Sequence, residues 1–302
     1  MILPTTLTEK HTYPSEYVFP TSVEEAVQTL AKWNGEARLI AGGTDLMLEL
    51  GKGKIRAQCF VSTERIQGLD QIRVGDDFIE VGAAVTFADL KNHPYINQYA
   101  PVLADAARSV GTLSIQNVAT LAGNIVNAMP AADGMVASIA LEAEARIVTA
   151  EGSEWKPVES LFLGPGSSTV DPTRQVLTHI RFPRCEQRRG TAWYRIGRRP
   201  SLTLPILNCA VSVTLDESGQ MLERARIALG PVAPRPFRAL QAEKFLEGCP
   251  VSGENLARAA KLAQNETDPR GNVLRASKEY RAATIPVIVE TALSNAVQCA
   301  LR

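Results

Sequence analysis

The sequence predicts an α+β protein in two domains, on three observations. In the second half, short apolar strands come first and helices dominate later, an order that argues for α+β and against β-α-β winding. Asp216-Glu217-Ser218-Gly219 joins two apolar runs as the turn of an antiparallel pair. The polar run Arg184-Cys185-Glu186-Gln187-Arg188-Arg189-Gly190 interrupts a chain of 302 residues, a length that the usual domain size divides in two.

Residues 1–20, with Pro4, Pro14 and Pro20, read as an irregular arm. Ser22-Val23-Glu24-Glu25 resembles a capping box, Val23, Ala26, Val27 and Leu30 follow at helical spacing, and Gly35 is placed to end the helix. Ala37 to Ile40 is a short strand and residues 46–51 a brief helix, followed by a turn at Gly51-Lys52-Gly53-Lys54. Lys52 and Lys54 either approach a phosphate or face solvent. Cys59-Phe60-Val61 is a strand, and Gln71 to Val74 with Phe78 to Val81 a hairpin around Gly75-Asp76-Asp77. Thr86 caps a helix through Leu90, stopped by His93-Pro94, and residues 101–110 form a helix with proline at its first position, closed by Gly111.

Leu113 to Asn117 leads into the stretch Thr120 to Asp133, and Met135 to Ala143 is a buried helix. Glu144 to Ala150 and Trp155 to Val158 form a hairpin, residues 164–168 a loop, and Val176 to Phe182 the last strand of the first domain. The second domain has strands at Ala192 to Ile196, Ile206 to Leu215 and Ala225 to Leu229, a three-stranded antiparallel sheet. Its last helix carries Ile285, Ile288, Val289, Ala292, Leu293, Ala296 and Val297 on one buried face.

Formal net charge is zero, which gives no electrostatic case for nucleic acid or an acidic membrane surface. The five cysteines, Cys59, Cys185, Cys209, Cys249 and Cys299, are scattered and form no Cys-x-x-Cys. Free thiols suit a reducing compartment, so a cytoplasmic location is expected. The histidines, His11, His93 and His179, are isolated, so no metal site is expected. No signal peptide is expected, and no apolar run reaches the roughly 20 residues of a membrane span.

Two stretches carry the chemistry. Leu39-Ile40-Ala41-Gly42-Gly43-Thr44-Asp45-Leu46 is a strand that breaks into Gly-Gly and Thr-Asp before a short helix. Consecutive N–H groups in such a turn form an anion-binding concavity. Thr120-Leu121-Ala122-Gly123-Asn124-Ile125-Val126-Asn127-Ala128-Met129-Pro130-Ala131-Ala132-Asp133 is uncharged until its last residue and offers hydroxyl and amide donors around one glycine. This second stretch also reads as a tight inter-strand loop in a packed core. Together the two could clamp a pyrophosphate without lysine or arginine. Neither a Gly-x-Gly-x-x-Gly fingerprint nor a Walker-type loop occurs, so a dinucleotide held here would not lie on a Rossmann motif.

These stretches resemble the paired flavin loops in the FAD-binding medium subunits of molybdenum hydroxylases, the family of xanthine dehydrogenase and carbon monoxide dehydrogenase. The family patterns are Ala-Gly-Gly-Thr-Asp-Leu and Thr-x-Gly-Gly-Asn-Ile-x-Asn-Ala-Ser-Pro-Ala-Ala-Asp. Ala228-Leu229-Gly230-Pro231-Val232-Ala233-Pro234-Arg235-Pro236, Asp268-Pro269-Arg270 and Glu279-Tyr280-Arg281 are similar to the family's second-domain patterns, so the resemblance spans nearly the whole chain. It implies an FAD-binding domain of the PCMH/vanillyl-alcohol-oxidase type over 1–183, in subdomains of about 1–56 and 57–183, and a CO dehydrogenase flavoprotein-like domain over 191–302.

By that resemblance Leu39, Ile40, Ala41, Gly42, Gly43, Thr44, Asp45 and Leu46 would wrap the ribityl-pyrophosphate, and Thr120, Ala122, Gly123 and Asn124 would close the other side. Val110 and Thr112 would line the flavin, and Asp133 would reach the adenosine half. Solvent exposure is the rival reading for Asp45, and capping of the helix ahead of Met135 for Asp133. Trp193 or Tyr194 would lie against the isoalloxazine, or each is an ordinary strand aromatic facing the core. Arg195, Arg198 and Arg199 form a solvated face, or meet a partner subunit or nucleotide acceptor.

The chain departs from the family at Ala122 for the first glycine of a pair, Gln116 for arginine, Met129 for serine and Thr203 for aspartate. Ala122 adds only a methyl, so flavin binding should survive; a contact inferred at position 203 does not carry over. No inserted cysteine loop is present, so no iron–sulfur cluster is expected in this chain, and no constellation for substrate proton transfer assigns a catalytic residue.

The resemblance implies an electron-transfer flavoprotein subunit. Its FAD would receive electrons from a small [2Fe–2S] subunit, after oxidation of substrate at molybdopterin in a large subunit, and pass them to NAD, oxygen, quinone or another protein. A dimer of heterotrimers is the expected assembly. The rival readings are a stand-alone FAD-dependent oxidoreductase of the same superfamily and a scaffold subunit without flavin.

Overall fold

The protein, a computed structural model, is described over residues 13–184, 187–199, 202–272 and 275–302. The first piece contains β1 (Glu16–Val18), α1 (Val23–Lys32), β2 (Ala37–Ile40), α2 (Leu46–Gly51) and β3 (Cys59–Ser62). Ser22 caps α1 by accepting the Glu25 N–H at 3.1 Å, while the Glu25 carboxylate reaches back to the Thr21 N–H at 2.7 Å, so the box closes one residue early. The sheet order is β1-β3-β2, and both pairings are parallel.

This winding corrects the sequence expectation in three places. The first piece is built of parallel strands joined through helices, because α1 and α2 are short and the strands around them run three or four residues. The arm over 1–20 holds a strand, β1, whose exposed, proline-flanked residues give no alternating signal; residues 1–12 of that arm lie outside the described residues. β3 begins three residues after the expected subdomain boundary at 56, yet hydrogen-bonds into the sheet of the preceding piece.

The second piece carries β4 (Ile72–Val74), β5 (Phe78–Gly82), α3 (Phe87–Asn92), α4 (Pro94–Tyr99), α5 (Pro101–Ser109), α6 (Leu113–Gln116), α7 (Leu121–Val126), α8 (Asp133–Ala140), β6 (Glu144–Val148) and β7 (Ser153–Pro157). A 3-10 turn, the small hairpin of β8 (Phe162–Gly164) and β9 (Ser167–Ser168), and β10 (Val176–Pro183) complete it. The antiparallel sheet runs β4-β5-β10-β6-β7, with β10 between two hairpins. Thr86 and Asp89 form a full capping box on α3. Sequence reading missed α4, because Pro94 starts a helix at its first position rather than only ending α3. It also took residues 164–168 as plain loop, whereas their ends pair as β8 and β9.

The second domain holds β11 (Arg189–Ile196), β12 (Leu207–Leu215), β13 (Met221–Gly230), β14 (Phe237–Arg238), α9 (Leu240–Leu246), β15 (Cys249–Pro250), α10 (Gly253–Asn265) and α11 (Lys278–Ala300). The expected three antiparallel strands are present, and β14 and β15 extend the sheet to five by pairing with the two ends of β13. Two residues each, they are too short to show a period. The expected linker is partly strand, since β11 starts at Arg189; Cys185 and Glu186 lie outside the described residues.

The sheet is two-faced by strict alternation. Leu207, Cys209, Val211, Val213 and Leu215 face the helices, where Ile285, Ile288, Val289, Ala292, Leu293, Ala296 and Val297 of α11 are all buried with them. Asn208, Ala210, Ser212 and Thr214 take the other face, toward the first domain, and Ala210 and Ala228 join the first-domain core there. Helix α8 lies on this face against β12 and β13.

Helix α11 packs so closely on β11 that a Cβ on Gly190 would stand 1.9 Å from the Ala296 carbonyl oxygen. Gly190→Ala is therefore expected to force the helix off the sheet and to cost about 3 kcal/mol or more, read as a lowered urea midpoint. An unchanged midpoint would mean the two elements are not in contact.

Candidate cofactor site

The first glycine-bearing loop hangs from the end of β2. Leu39 N–H donates to the Pro172 carbonyl at 2.8 Å and the Ile40 carbonyl accepts from Thr63 N–H at 2.9 Å, so the strand is held on both sides before the chain turns. Gly42 then meets the backbone of the second piece. A Cβ there would lie 1.8 Å from the Val118 carbonyl oxygen. Gly43 has φ +67°, a conformation that costs other residues roughly 1–2 kcal/mol. Among the described residues, the N–H groups of Gly42, Gly43 and Thr44 have no protein acceptor. Asp45 is exposed, heads α2 and makes no side-chain capping bond, as its rival reading held; Leu46 follows as the first residue of that helix.

The second stretch approaches from α5. Gly111 turns with φ +48°, and Thr112 caps α6 by accepting the Ile115 N–H at 3.3 Å. Leu113 to Gln116 is thus a helical turn, where sequence reading saw only a lead-in. Gln116 is buried and fully used. Its amide nitrogen donates to the Arg108 and Val110 carbonyls at 3.1 and 2.7 Å, and its oxygen accepts from Lys91 Nζ at 2.6 Å. This residue, noted only as a departure from the family pattern, holds the turn that carries Val110.

The central stretch is not an inter-strand loop. Its first half is the helix α7, capped by Thr120, whose hydroxyl accepts the Gly123 N–H at 3.0 Å, and residues 127–132 turn into α8. The Thr-x-x-Gly spacing is a helix cap, and the crowd of small residues masked it. One donor beside the glycine, the Gly123 N–H, is consequently spent on Thr120, and Asn124 is engaged through its Oδ1, which accepts from Met135 N–H at 3.2 Å. Ala122 is buried in the core, so its extra methyl has found room.

Asp133, the first residue of α8, is buried at 6% exposure and faces the second domain. Asn208 Nδ2 donates to its Oδ1 at 2.6 Å, and Arg195 Nε stands 3.3 Å from its Oδ2. It makes no capping bond. The carboxylate expected to reach a nucleotide is thus engaged across the domain boundary by two residues that sequence reading left out of the site. Burial pushes its pKa up to about 6, against the opposing pull of Arg195 and Asn208. At the far end of α8, Glu142 meets Arg226 at 2.7 Å, with Arg224 and Arg238 close by. Burial would raise this carboxyl too, but the three guanidiniums outweigh it and hold it below its usual value.

The two candidate aromatics point to opposite faces of β11. Trp193 faces the first domain and donates its indole N–H to the Ser109 hydroxyl at 3.0 Å, beside Val110. Tyr194 packs with the second-domain core. Arg195, back on the face of Trp193, also donates to the Thr203 carbonyl, and the Leu202 N–H donates to the Gly111 carbonyl at 3.3 Å. The segment after β11 therefore touches the turn of the second stretch; Pro200 and Ser201 lie outside the described residues. The late motifs converge as well: Arg281 donates to the Pro231 carbonyl at 3.0 Å, and Asp268 N–H to the Val232 carbonyl at 3.0 Å.

Free N–H groups on a neutral glycine turn, pressed against a second turn, fit a pyrophosphate better than any metal or acid–base chemistry. Fold and loops together define the class, a flavin-nucleotide-binding oxidoreductase subunit. Residues 12–185 match the family described as the FAD binding domain in molybdopterin dehydrogenase, and residues 192–296 match the CO dehydrogenase flavoprotein C-terminal domain. The chain is 30% identical to the carbon monoxide dehydrogenase medium chain of Hydrogenophaga pseudoflava, covering 94% of this chain and 98% of that one. It is 28% identical to the xanthine dehydrogenase FAD-binding subunit of Escherichia coli O157:H7, over 95% and 97%. Among solved structures, quinoline 2-oxidoreductase from Pseudomonas putida 86 superposes with a TM-score of 0.87 at 25% identity, over 96% of this chain and 100% of that one. The chain belongs to the FAD-binding medium subunits of the molybdenum hydroxylases.

Gly42→Ala is expected to part the two loops and weaken FAD binding by about tenfold or more, read by flavin fluorescence on titration. Undiminished affinity would separate the Gly42–Val118 contact from the cofactor. Asp133 and Glu142 give opposite pH signatures. Between about pH 4 and about pH 6 the folded chain holds a proton on Asp133 that the unfolded chain releases, so this group's contribution to stability is lost as pH rises through about 6. Glu142, with a depressed pKa, contributes at higher pH and loses that contribution on acidification. The stability difference between wild type and Asp133→Asn should therefore shift in favour of the variant between about pH 4 and pH 7 in urea titrations; a pH-independent difference would contradict it.

Proposed function

We propose that this chain is the electron-exit subunit of a three-component molybdenum hydroxylase. A large molybdopterin-binding subunit oxidises the organic substrate, and a small [2Fe–2S] subunit relays the electrons. The FAD held here passes them to NAD, oxygen or quinone. The assembly is a dimer of heterotrimers in the cytoplasm. Among the described residues no helix is long and apolar enough to cross a membrane.

The observation that carries it is the Gly42–Val118 contact, which presses a turn with three free N–H groups onto the turn that leads to Thr120. Leu39 to Leu46 flank the pyrophosphate in this reading, with Val110 and Thr112 toward the flavin ring and Thr120, Ala122, Gly123 and Asn124 forming the wall behind. Trp193 is the aromatic on the flavin side of β11, since Tyr194 belongs to the other core. FAD supplies the redox chemistry when bound; the residues of this chain bind and orient it.

The native complex, purified through this chain, is expected to contain molybdenum, iron and one FAD per chain. The chain purified alone is expected to be yellow and to leave organic substrates unoxidised. Substrate oxidation by the chain alone would overturn the subunit reading in favour of a stand-alone enzyme.

A further inference from the structure

The end of α8 remote from Asp133 opens on a polar cavity of about 30 Å³ at the seam between the domains. Its walls include Glu142, Arg189, Ser212, Thr214, Arg224 and Arg226. Strand register explains why these residues meet. Thr214 of β12 stands opposite Arg189 of β11 on one side and Arg224 of β13 on the other, and Ser212 stands opposite Arg226. Cross-strand partners share a face, so three guanidiniums surround two hydroxyls on the side that the sheet turns toward the first domain.

One carboxylate answers them inside the cavity. Glu142 pairs with Arg224 and Arg226, and Arg238 reaches it from outside the cavity at 3.5 Å. It does so from φ +54°, a left-handed backbone that a residue with a side chain keeps only when its surroundings impose it. The other acids lie behind the arginines: Glu247 is 3.5 Å from Arg226, and Glu243 is taken by Arg238 and the Ile227 N–H. Toward the cavity itself, three cations face one anion. The hydroxyls add donors. Ser212 Oγ accepts from Arg189 Nε at 2.9 Å, which leaves its own O–H to donate, and the Thr214 hydroxyl has no partner among the described residues. Guanidinium forks and hydroxyls are the donor set that a phosphate or sulfate takes. A single water needs roughly 10–15 Å³, so this cavity has room for two waters or one small oxyanion, and none for a nucleotide.

We propose that this cavity binds one inorganic oxyanion, phosphate or sulfate, which braces the second-domain sheet against the end of α8. The site is separate from the glycine turns and does not depend on the cofactor reading.

The experiment titrates inorganic phosphate into the full chain at constant ionic strength, exchanging chloride for phosphate, and reads the heat of binding and the thermal midpoint. Each titration is run with and without saturating FAD, because the glycine turns themselves suit phosphate. With FAD present, one phosphate per chain is expected to bind saturably, to raise the midpoint and to be displaced by sulfate. Adenosine monophosphate, too large for the cavity, is expected not to displace it. Arg224→Gln leaves Glu142 paired with Arg226 and Arg238, so it is expected to fold and to lose about tenfold or more in phosphate affinity. Thr214→Val keeps the shape and the charge and is expected to weaken binding by a smaller factor. Arg258→Gln, whose arginine lies over Phe245 on the helical side of the sheet, is expected to bind phosphate as wild type does. No saturable binding in the presence of FAD would overturn the proposal. So would displacement by adenosine monophosphate, undiminished affinity in the folded Arg224→Gln chain, or an equal loss in Arg258→Gln. A chain that takes up no FAD would fail the cofactor reading alone, and the Arg224→Gln comparison would then decide this site by itself.

Discussion

A single backbone contact brings the two glycine-bearing turns of this protein together. Gly42 follows β2 and Val118 lies between α6 and α7, and they touch only because position 42 carries no side chain. The contact sets two local turns side by side. Everything nearby serves it: β3 holds β2 from one side, Pro172 from the other, and Gln116 fixes the approach of the second turn. No lysine or arginine lies in either turn, so the turns present main-chain dipoles, whose directions the fold sets and which no rotamer change can redirect.

Helix α8 is the second organising element. It is buried along its whole length between the first-domain core and the inner face of the second-domain sheet. An acid sits at each end, and each acid is answered by arginine from the other domain. The two ends differ in electrostatics. Around Glu142 three guanidiniums outweigh desolvation; at Asp133 one guanidinium and one amide do not. One end is thus a solvent-touched ionic network, and the other a nearly dry junction next to the cofactor loops.

Much of this was legible in the sequence. The α+β class, the two domains, the strands leading into each motif, the hairpins and the buried face of α11 followed from apolar period and turn residues. The Gly-Gly and Thr-to-Asp motifs named the family before any geometry was known. What escaped has physical reasons. β1, β14 and β15 are two or three residues long, and no period can be read from so few. The parallel pairing of the first piece depends on which distant strand lies alongside, which local pattern does not encode. Helix α7 hid among small residues whose cap, Thr120 to Gly123, reads equally well as a ligand loop. Arg195 looked like one of three solvated arginines. Its neighbours in sequence say nothing of Asp133, which lies 62 positions earlier and meets it only across the domain boundary.

The place of β10 in its sheet has a consequence for biosynthesis. It is the central strand, yet the last of the five to leave the ribosome, and it pairs with β5, made about a hundred residues before, and with β6. Until Pro183 emerges, the hairpins β4-β5 and β6-β7 share no partner and their apolar faces stay open. Nascent chains thus reach this point with Gly42 and Gly111 already translated while the sheet of the second piece is still incomplete. Closure of this sheet becomes a late event in the life of each molecule, one that waits for its central strand.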